Sequence, residues 1–473
     1  MKNILSTFFC LIILFPARAQ FTNILISPTG CTEPSICIDP TNVSRVVAAT
    51  NCTYSYYSSD TGHTWSSCIN SITAGVWCYD PCIIADYSGN FYYFHNFQIA
   101  PQPIYVTVQK SFNGGQSWSF DNTVPHLYDK EMACVRPSTN ELYTVFIPDS
   151  GGFNNVGFSR SADGGVTWTP MSVVNAQSYP AIQWGAAPAV GTAPGELYVV
   201  WENSAGVYFQ KSYDNGNTWQ FNDYHLSTFL NTGNGYNCMP SIATDISAGP
   251  HSGNIYITWW ELDVNGTDTD IYLATSTDGG ANWNITSIAS DINTDQKWPQ
   301  AMVDPTSGYV YVVYYSQVGV STGYDINMAF STDGGNSFVN VPVSSSPATV
   351  TNWYHHYIGN SAYNGIIRPA WTTNDSLFTA LISYSGLNLW LGAQQYEVQA
   401  ALNIFPNPST GVYFISSSAP GEIIVVNSTG QVVFKQFITG EQTSFDISNL
   451  PGGLYLVTLT TRQGRATQKI IKR

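Results

Sequence analysis

The chain has 473 residues, long enough to bury a large core and to hold more than one domain. With 14% aromatic and only 10% charged residues it is poorly suited to disorder, and its richness in Gly, Ser, Thr and aromatics favours strands over helices. Residues 20–399 carry eight Lys and Arg against 28 Asp and Glu, whereas residues 400–473 carry six against three. So acidic a body excludes nucleic acid and anionic membrane as partners.

The first 19 residues read as an export signal. Lys2 precedes an apolar run from Ile4 to Phe15, and Ala17-Arg18-Ala19 gives a small-x-small cleavage site before Gln20. The run is too short to span a membrane as a helix, and Cys10 inside it makes a lipoprotein anchor the lesser reading. Eight cysteines remain, six of them between Cys31 and Cys82, in an export context that permits disulfides. Cys52 and Cys68 stand eight residues on either side of Asp60 and are the expected cross-strand bridge; a Cys-rich metal site is the alternative.

One short turn is then written six times. Its copies run Ser58 to Trp65, Ser111 to Trp118, Ser161 to Trp168, Ser212 to Trp219, Ser276 to Trp283 and Ser331 to Phe338, with Asp or Asn at the third position and Gly at the fifth. The acid or amide accepts hydrogen bonds from backbone N–H groups further on, the glycine supplies a backbone angle other residues resist, and the aromatic opens a returning strand. Around each turn the chain repeats one order of strands, such as Leu197-Tyr-Val-Val-Trp201 and Ile255-Tyr-Ile-Thr-Trp-Trp260, with a period near fifty. That is the period of propeller blades with four strands each. First strands begin near Ile36, Ile83, Ala133, Ala187, Ile242, Ala301 and Tyr357, which favours seven blades, the last completed by Phe21 to Ser27; a six-bladed ring is the alternative. The turn resembles the Asp box (BNR repeat) of sialidases and related β-propellers.

A small β-sandwich is expected at the end, dividing the chain into a signal over residues 1–19, a propeller over 20–397 and a second domain over 398–473. Asn403-Ile-Phe-Pro-Asn-Pro-Ser-Thr-Gly411, Gly430-Gln-Val-Val433, Leu450-Pro-Gly-Gly-Leu-Tyr455 and a basic end at Lys469 to Arg473 mark this domain. These motifs resemble the C-terminal sorting domain of the bacterial type IX secretion system. The resemblance implies passage through the outer membrane of a Gram-negative cell, contact with that secretion machinery, removal of the tail, and release or surface attachment.

In a propeller the turns between third and fourth strands lie opposite the face where blades converge, so the repeated aspartates are turn formers. The converging face should carry the inter-blade loops and the ends of second strands. There Trp77, Tyr79, Tyr128, Trp184, Tyr236, Trp298, Trp353, Tyr354 and His355 are candidate ligand contacts, because aromatic faces beside carboxylates suit sugars. Asp80, Asp129, Glu131, Glu202 and Glu261 are the candidate carboxylates for acid and base or nucleophile work, with Glu202 and Glu261 the first pair by their matching places in adjacent blades. A sialidase grips its substrate with three arginines, and the body has only Arg45, Arg136, Arg160 and Arg368, of which Arg45 and Arg160 should point away from that face. No cofactor is expected, although Asp263 to Asp270 has oxygen ligands suited to Ca²⁺ without the full EF-hand pattern. The expectation is a monomeric, secreted or cell-surface propeller that acts on or binds extracellular glycans or glycoproteins. A non-catalytic propeller serving as adhesin or protein-binding module is the competing reading.

Overall fold

A computed structural model describes residues 21–473 except 30–31, 52–53, 70–77, 98–104, 120–121, 125–127, 149–153, 178, 180–182, 228–237, 264–265, 267, 291–293, 318–322, 350–357, 374–375, 388–402, 417–420, 428–430, 439–441 and 462–463. The chain divides into two compact units, Met1–Ser383 and Tyr384–Arg473.

The first unit is built of seven antiparallel sheets of four main strands, each with the strand order expected of a propeller blade. Blade 1 runs Ser35–Ile38, Val46–Ala49, Tyr54–Ser58 and Ser66–Ile69; blade 2 begins at Cys78–Ala85 and blade 3 at Tyr128–Val135. Blades 4, 5 and 6 begin at Trp184–Val190, Ser241–Thr244 and Gln296–Val303. Blade 7 takes Gly359–Tyr363, Ile366–Thr373 and Ser376–Ser383 from one end of the chain and its outer strand, Thr22–Ser27, from the other. Seven blades are therefore present, and the N-terminal strand closes the ring through pairs such as Asn23 with Ala380. Closure leaves no blade to end the array as an open edge.

Six hydrophobic clusters fill the spaces between successive blades. Phe158 and Val145 of blade 3 pack with Val199 and Trp201 of blade 4, and Val200 and Phe209 of blade 4 pack with Ile257 and Trp259 of blade 5. The repeated turn secures these seams. In its Asp copies one carboxylate oxygen accepts the serine hydroxyl two residues back and the N–H four residues on, at 2.7–3.0 Å in the fourth and sixth copies. The serine oxygen in turn accepts the glycine N–H at 2.8–2.9 Å in all six. The glycine held this way lies against the preceding blade. A Cβ on Gly216 would meet Phe158 at 2.3 Å, one on Gly280 would meet Phe209 at 2.5 Å, and one on Gly115 would meet Val47 at 2.7 Å. Trp219 and Trp283 cross the same seams edge-on to Phe158 and Phe209, with ring centroids 5.2 and 5.0 Å apart.

The hairpin register corrects one expectation. In blade 1 Cys68 pairs with Ser55, because the centre of the hairpin falls beyond Asp60 and the symmetric count of eight residues is three out of step. Cys68 is a free thiol, and Cys52 lies outside the described residues.

The second unit packs a sheet of Asn403–Phe405, Val412–Ser416 and Gln442–Asp446 with a sheet of Val432–Ile438, Gly421–Asn427, Gly453–Thr461 and Gly464–Lys472. Its core joins Tyr413 and Phe445 of the first to Ile423, Val457 and Ile470 of the second. The Asn407 side chain accepts the Ile471 N–H at 2.9 Å and donates to Lys469 O at 2.8 Å, so the Asn-Pro motif pins the last strand.

Gly216→Ala forces a side chain into a left-handed residue, φ +78°, and into Phe158, so we expect a loss of about 3 kcal/mol in denaturant unfolding. Gly266→Ala has a similar φ, +67°, but nothing within 4 Å, and is expected to cost about 1 kcal/mol. Equal losses at the two sites would contradict the seam role.

Candidate functional site

Six of the seven inner strands are entered through a backbone kink among the described residues. Glu33, Asp80, Lys130, Gly185, Met239 and Trp298 all have positive φ, between 41° and 56°. They stand at one place in six blades, written Glu-Pro-Ser-Ile, Asp-Pro-Cys-Ile, Lys-Glu-Met-Ala, Gly-Ala-Ala-Pro, Met-Pro-Ser-Ile and Trp-Pro-Gln-Ala. In four of the six, pairing with the second strand slips at this point, as a β-bulge requires. The kinks sit at the inter-blade end of the strands, opposite the repeated turns, and ring the mouth of the central channel. The channel holds about 300 Å³ and is lined by the inner strands, including Cys37, Cys82 and Cys134.

Three successive kink residues meet across this mouth. The Lys130 ammonium lies 2.5 Å from Asp80 Oδ1 and 3.1 Å from Glu33 Oε1, and all three side chains are buried. Asn96 donates to Asp80 Oδ2 at 2.7 Å, Asn51 Oδ1 accepts the Asp80 N–H at 2.8 Å, and the Asn51 amide donates to Glu33. Asp129 lies on the same cluster and shares a hydrogen bond with Asp80. Glu131, fully buried, stands where four other blades have proline, and neither of its oxygens accepts a hydrogen bond from another described residue.

These four carboxyl groups are driven apart in acidity. Burial raises Asp80, but the Lys130 charge and the bonds from Lys130, Asp129 and Asn96 outweigh it and hold Asp80 low. Burial and the Asp80 charge raise Asp129 to about 7 and Glu33 to about 8, against the partial offset of Lys130. Glu131 is pushed well above the usual carboxylate range by burial and by Asp80. One acid held low therefore sits among three pushed up, a separation that marks sites of proton handling.

Of the sequence candidates, Asp80, Asp129 and Glu131 are brought together, and Tyr79, 44% exposed, precedes Asp80 in the same strand. Glu202 and Glu261 are not equivalent. Leu197 and Ile255 both pair with the serine of their own repeated turn, which aligns Glu202 with Trp260 and Glu261 with Asn203. A one-residue offset puts the two on opposite faces of their strands. Glu202 accepts the N–H groups of Cys238 and Met239 at 2.9 and 3.1 Å and so holds the next blade's kink, while Glu261 accepts the Ser227 hydroxyl at 2.8 Å. Trp298 joins Tyr315 and Tyr324 in an aromatic group, with centroids 5.6 and 6.4 Å away. Tyr128 and Trp184 open the inner strands of blades 3 and 4. Trp77, Tyr236, Trp353, Tyr354 and His355 lie outside the described residues.

All four body arginines serve the scaffold. Arg45 pairs with Asp39 at 2.5 Å, Arg136 binds Gly191, Ala193 and Glu196 carbonyls, Arg160 reaches Asn217, and Arg368 binds Thr61 O at 2.7 Å. In the Asp263 to Asp270 loop the Asp268 carboxylate accepts the Thr294 N–H at 3.1 Å. Among the described residues no group of three or more His, Cys, Asp or Glu is arranged to hold a metal ion. Glu33 and Lys130 were not among the sequence candidates for the site. The recurring four-residue kink motif is the signal that points to them.

Because Glu33 and Asp129 keep protons in the folded chain that they lose when unfolded, their contribution to stability is lost as pH rises through about 7–8. Unfolding free energy should fall by up to about 1.4 kcal/mol per pH unit for each retained proton between about pH 5 and 8. Glu33→Gln should flatten that slope; a slope identical to that of the parent chain would contradict the assignment.

Comparison with known proteins follows the two units. No curated protein matches the chain. Among solved structures, an ulvan lyase of polysaccharide lyase family PL25 bound to -[GlcA(1-4)Rha3S]- is similar at a TM-score of 0.50 and 12% identity, over 77% of this chain and 96% of that one. The NanB sialidase of Streptococcus pneumoniae gives 0.46 and 11% over 63% and 66%, and an α-L-arabinanase of Penicillium chrysogenum 0.44 and 14% over 65% and 94%. At such identities the likeness of the ulvan lyase is one of fold. Residues 403–473 match the family described as "Secretion system C-terminal sorting domain". The protein is a β-propeller carrying a type IX sorting domain, which directs it to the cell surface or the extracellular space.

Proposed function

We propose that this exported propeller recognises extracellular glycans at the channel mouth over blades 1–3. The observation that carries the reading is the cluster of Asp80, Asp129 and Glu131, separated in acidity around Lys130 beside the exposed ring of Tyr79. A sugar presents a C–H face that stacks on an aromatic ring and hydroxyls that both donate and accept, which suits a tyrosine flanked by protonated and ionised carboxyl groups. The solved propellers it resembles in fold include proteins named as acting on glycans, which agrees with the reading without carrying it.

The internal geometry favours recognition over two-carboxylate hydrolysis. Asp80 and Asp129 share a hydrogen bond, closer than the roughly 5–9.5 Å separation that glycosidase carboxyl pairs keep. Sialidase chemistry is disfavoured because each body arginine is already spent on backbone carbonyls or scaffold side chains. A hydrolytic reading draws on Glu131, a buried acid with raised pKa whose oxygens accept no hydrogen bond from another described residue.

The full chain should be screened on a glycan array and against aryl-glycosides and polysaccharides in parallel. Binding without turnover is the expected result, and Tyr79→Ala should weaken it about tenfold while leaving the unfolding midpoint unchanged, since the ring is exposed. Turnover abolished by Glu131→Gln would replace recognition by hydrolysis. Absence of binding to any glycan would remove the reading.

A further inference from the structure

We propose that the glycan taken at this mouth bears ammonium groups, as an oligosaccharide of amino sugars with free amines does. The inference rests on the glycan reading above and adds its charge.

The mouth gathers four carboxyl groups, Glu33, Asp80, Asp129 and Glu131, about a single lysine. Lys130 makes its ion pairs with Glu33 and Asp80, donates its backbone N–H to Asp129 Oδ1 at 3.1 Å, and only partly offsets the burial of Asp129 and Glu131. Glu131 is wholly buried, within electrostatic reach of Asp80, Asp129, Lys130 and Cys82, and its oxygens accept no hydrogen bond from another described residue. A buried acid in that state lacks a hydrogen-bond donor, and the strongest donor for it is a cation. The surroundings sharpen the sign. Residues 20–399 hold eight basic residues against 28 acidic ones, and no body arginine is available at the mouth. Such a field draws cations and repels uronates, sulfated sugars and sialic acids. A cation carried by the ligand, such as an ammonium, offers both the charge and the hydrogen-bond donors that such a cluster takes.

A bound ammonium would also bring the two acids down in pKa, so binding releases protons. Asp129 is faced by Asp80 and Lys130, and Glu131 by Asp80, Asp129, Lys130 and Cys82. With a ligand of fixed charge, affinity should therefore grow as pH passes the Asp129 titration at about 7.

The test compares four probes on the full chain by calorimetry: a β-1,4-glucosamine oligomer, its N-acetylated form, its N-trimethylated form and an oligouronate. The expected result is at least about tenfold tighter binding of the amine than of the N-acetylated oligomer, and weakest binding of the uronate. The trimethylated oligomer, which keeps the charge but cannot donate, should bind more weakly than the amine yet about tenfold more tightly at about pH 8 than at about pH 5.5, with proton release visible as a dependence on buffer ionisation heat. Asp129→Asn and Glu131→Gln should each bring the amine preference close to unity; should Glu131→Gln fail to fold, Asp129→Asn alone decides. Equal binding of amine and N-acetylated oligomers would overturn the charge inference while leaving a glycan site in place. Preference for the uronate would overturn it outright. No binding of any glycan, on these probes and the array, would remove the glycan reading on which it depends.

Discussion

The interaction on which the propeller depends is the wedge of each repeated turn into the blade before it. The aspartate or asparagine fixes the turn, the turn fixes a left-handed glycine, and that glycine leaves room for an aromatic or aliphatic side chain of the neighbour. The tryptophan that follows then crosses the seam edge-on, as Trp219 does to Phe158. Edge-to-face pairs contribute about 0.5–1.5 kcal/mol beyond the area they bury. The same edge-on pair recurs at three successive seams, Trp168 to Phe94, Trp219 to Phe158 and Trp283 to Phe209. Sheet hydrogen bonds build each blade, but these side-chain wedges build the circle.

The opposite face follows a second repeated device with a different purpose. There the kink residues turn the chain into the inner strands and place six side-chain positions around the channel mouth. In blade 4 the position is Gly185, against which Met239 of blade 5 packs. In blades 1–3 it is Glu33, Asp80 and Lys130, where one buried lysine contacts carboxyl groups from two other blades. Taking a lysine out of water costs several kcal/mol, and breaking such a pair leaves a buried charge uncompensated. A purely structural seam needs neither Asp129 nor Glu131, whose burial raises their pKa values and is only partly offset by Lys130. That surplus separates a ligand site from a staple.

Much of this was legible in the sequence. The period of the turns and the count of first strands specify seven blades, and the Asn-Pro and Leu-Pro-Gly-Gly motifs specify the exported tail, because each is a local turn with its own chemistry. Asp80, Asp129 and Glu131 were found because inter-blade loops converge in any propeller. Glu202 and Glu261 look equivalent when counted from the ends of their strands, but register runs from the serine of the repeated turn, and one residue reverses the face. The Cys52–Cys68 symmetry failed for a related reason, since the hairpin is not centred on its aspartate. Glu33 went unnoticed because its importance lies in meeting Lys130, 97 residues away, a contact that only the closed ring creates.

The central claim is that the mouth over blades 1–3 is where a glycan sits. A crystal structure of the full chain with the tightest oligosaccharide from the screen tests it most directly. The account predicts a sugar ring stacked on Tyr79, with a donor from the ligand within hydrogen-bond distance of Asp129 or Glu131. Sugar density on the face of the repeated turns or along the outer strands, with the cluster around Lys130 unchanged, would contradict it.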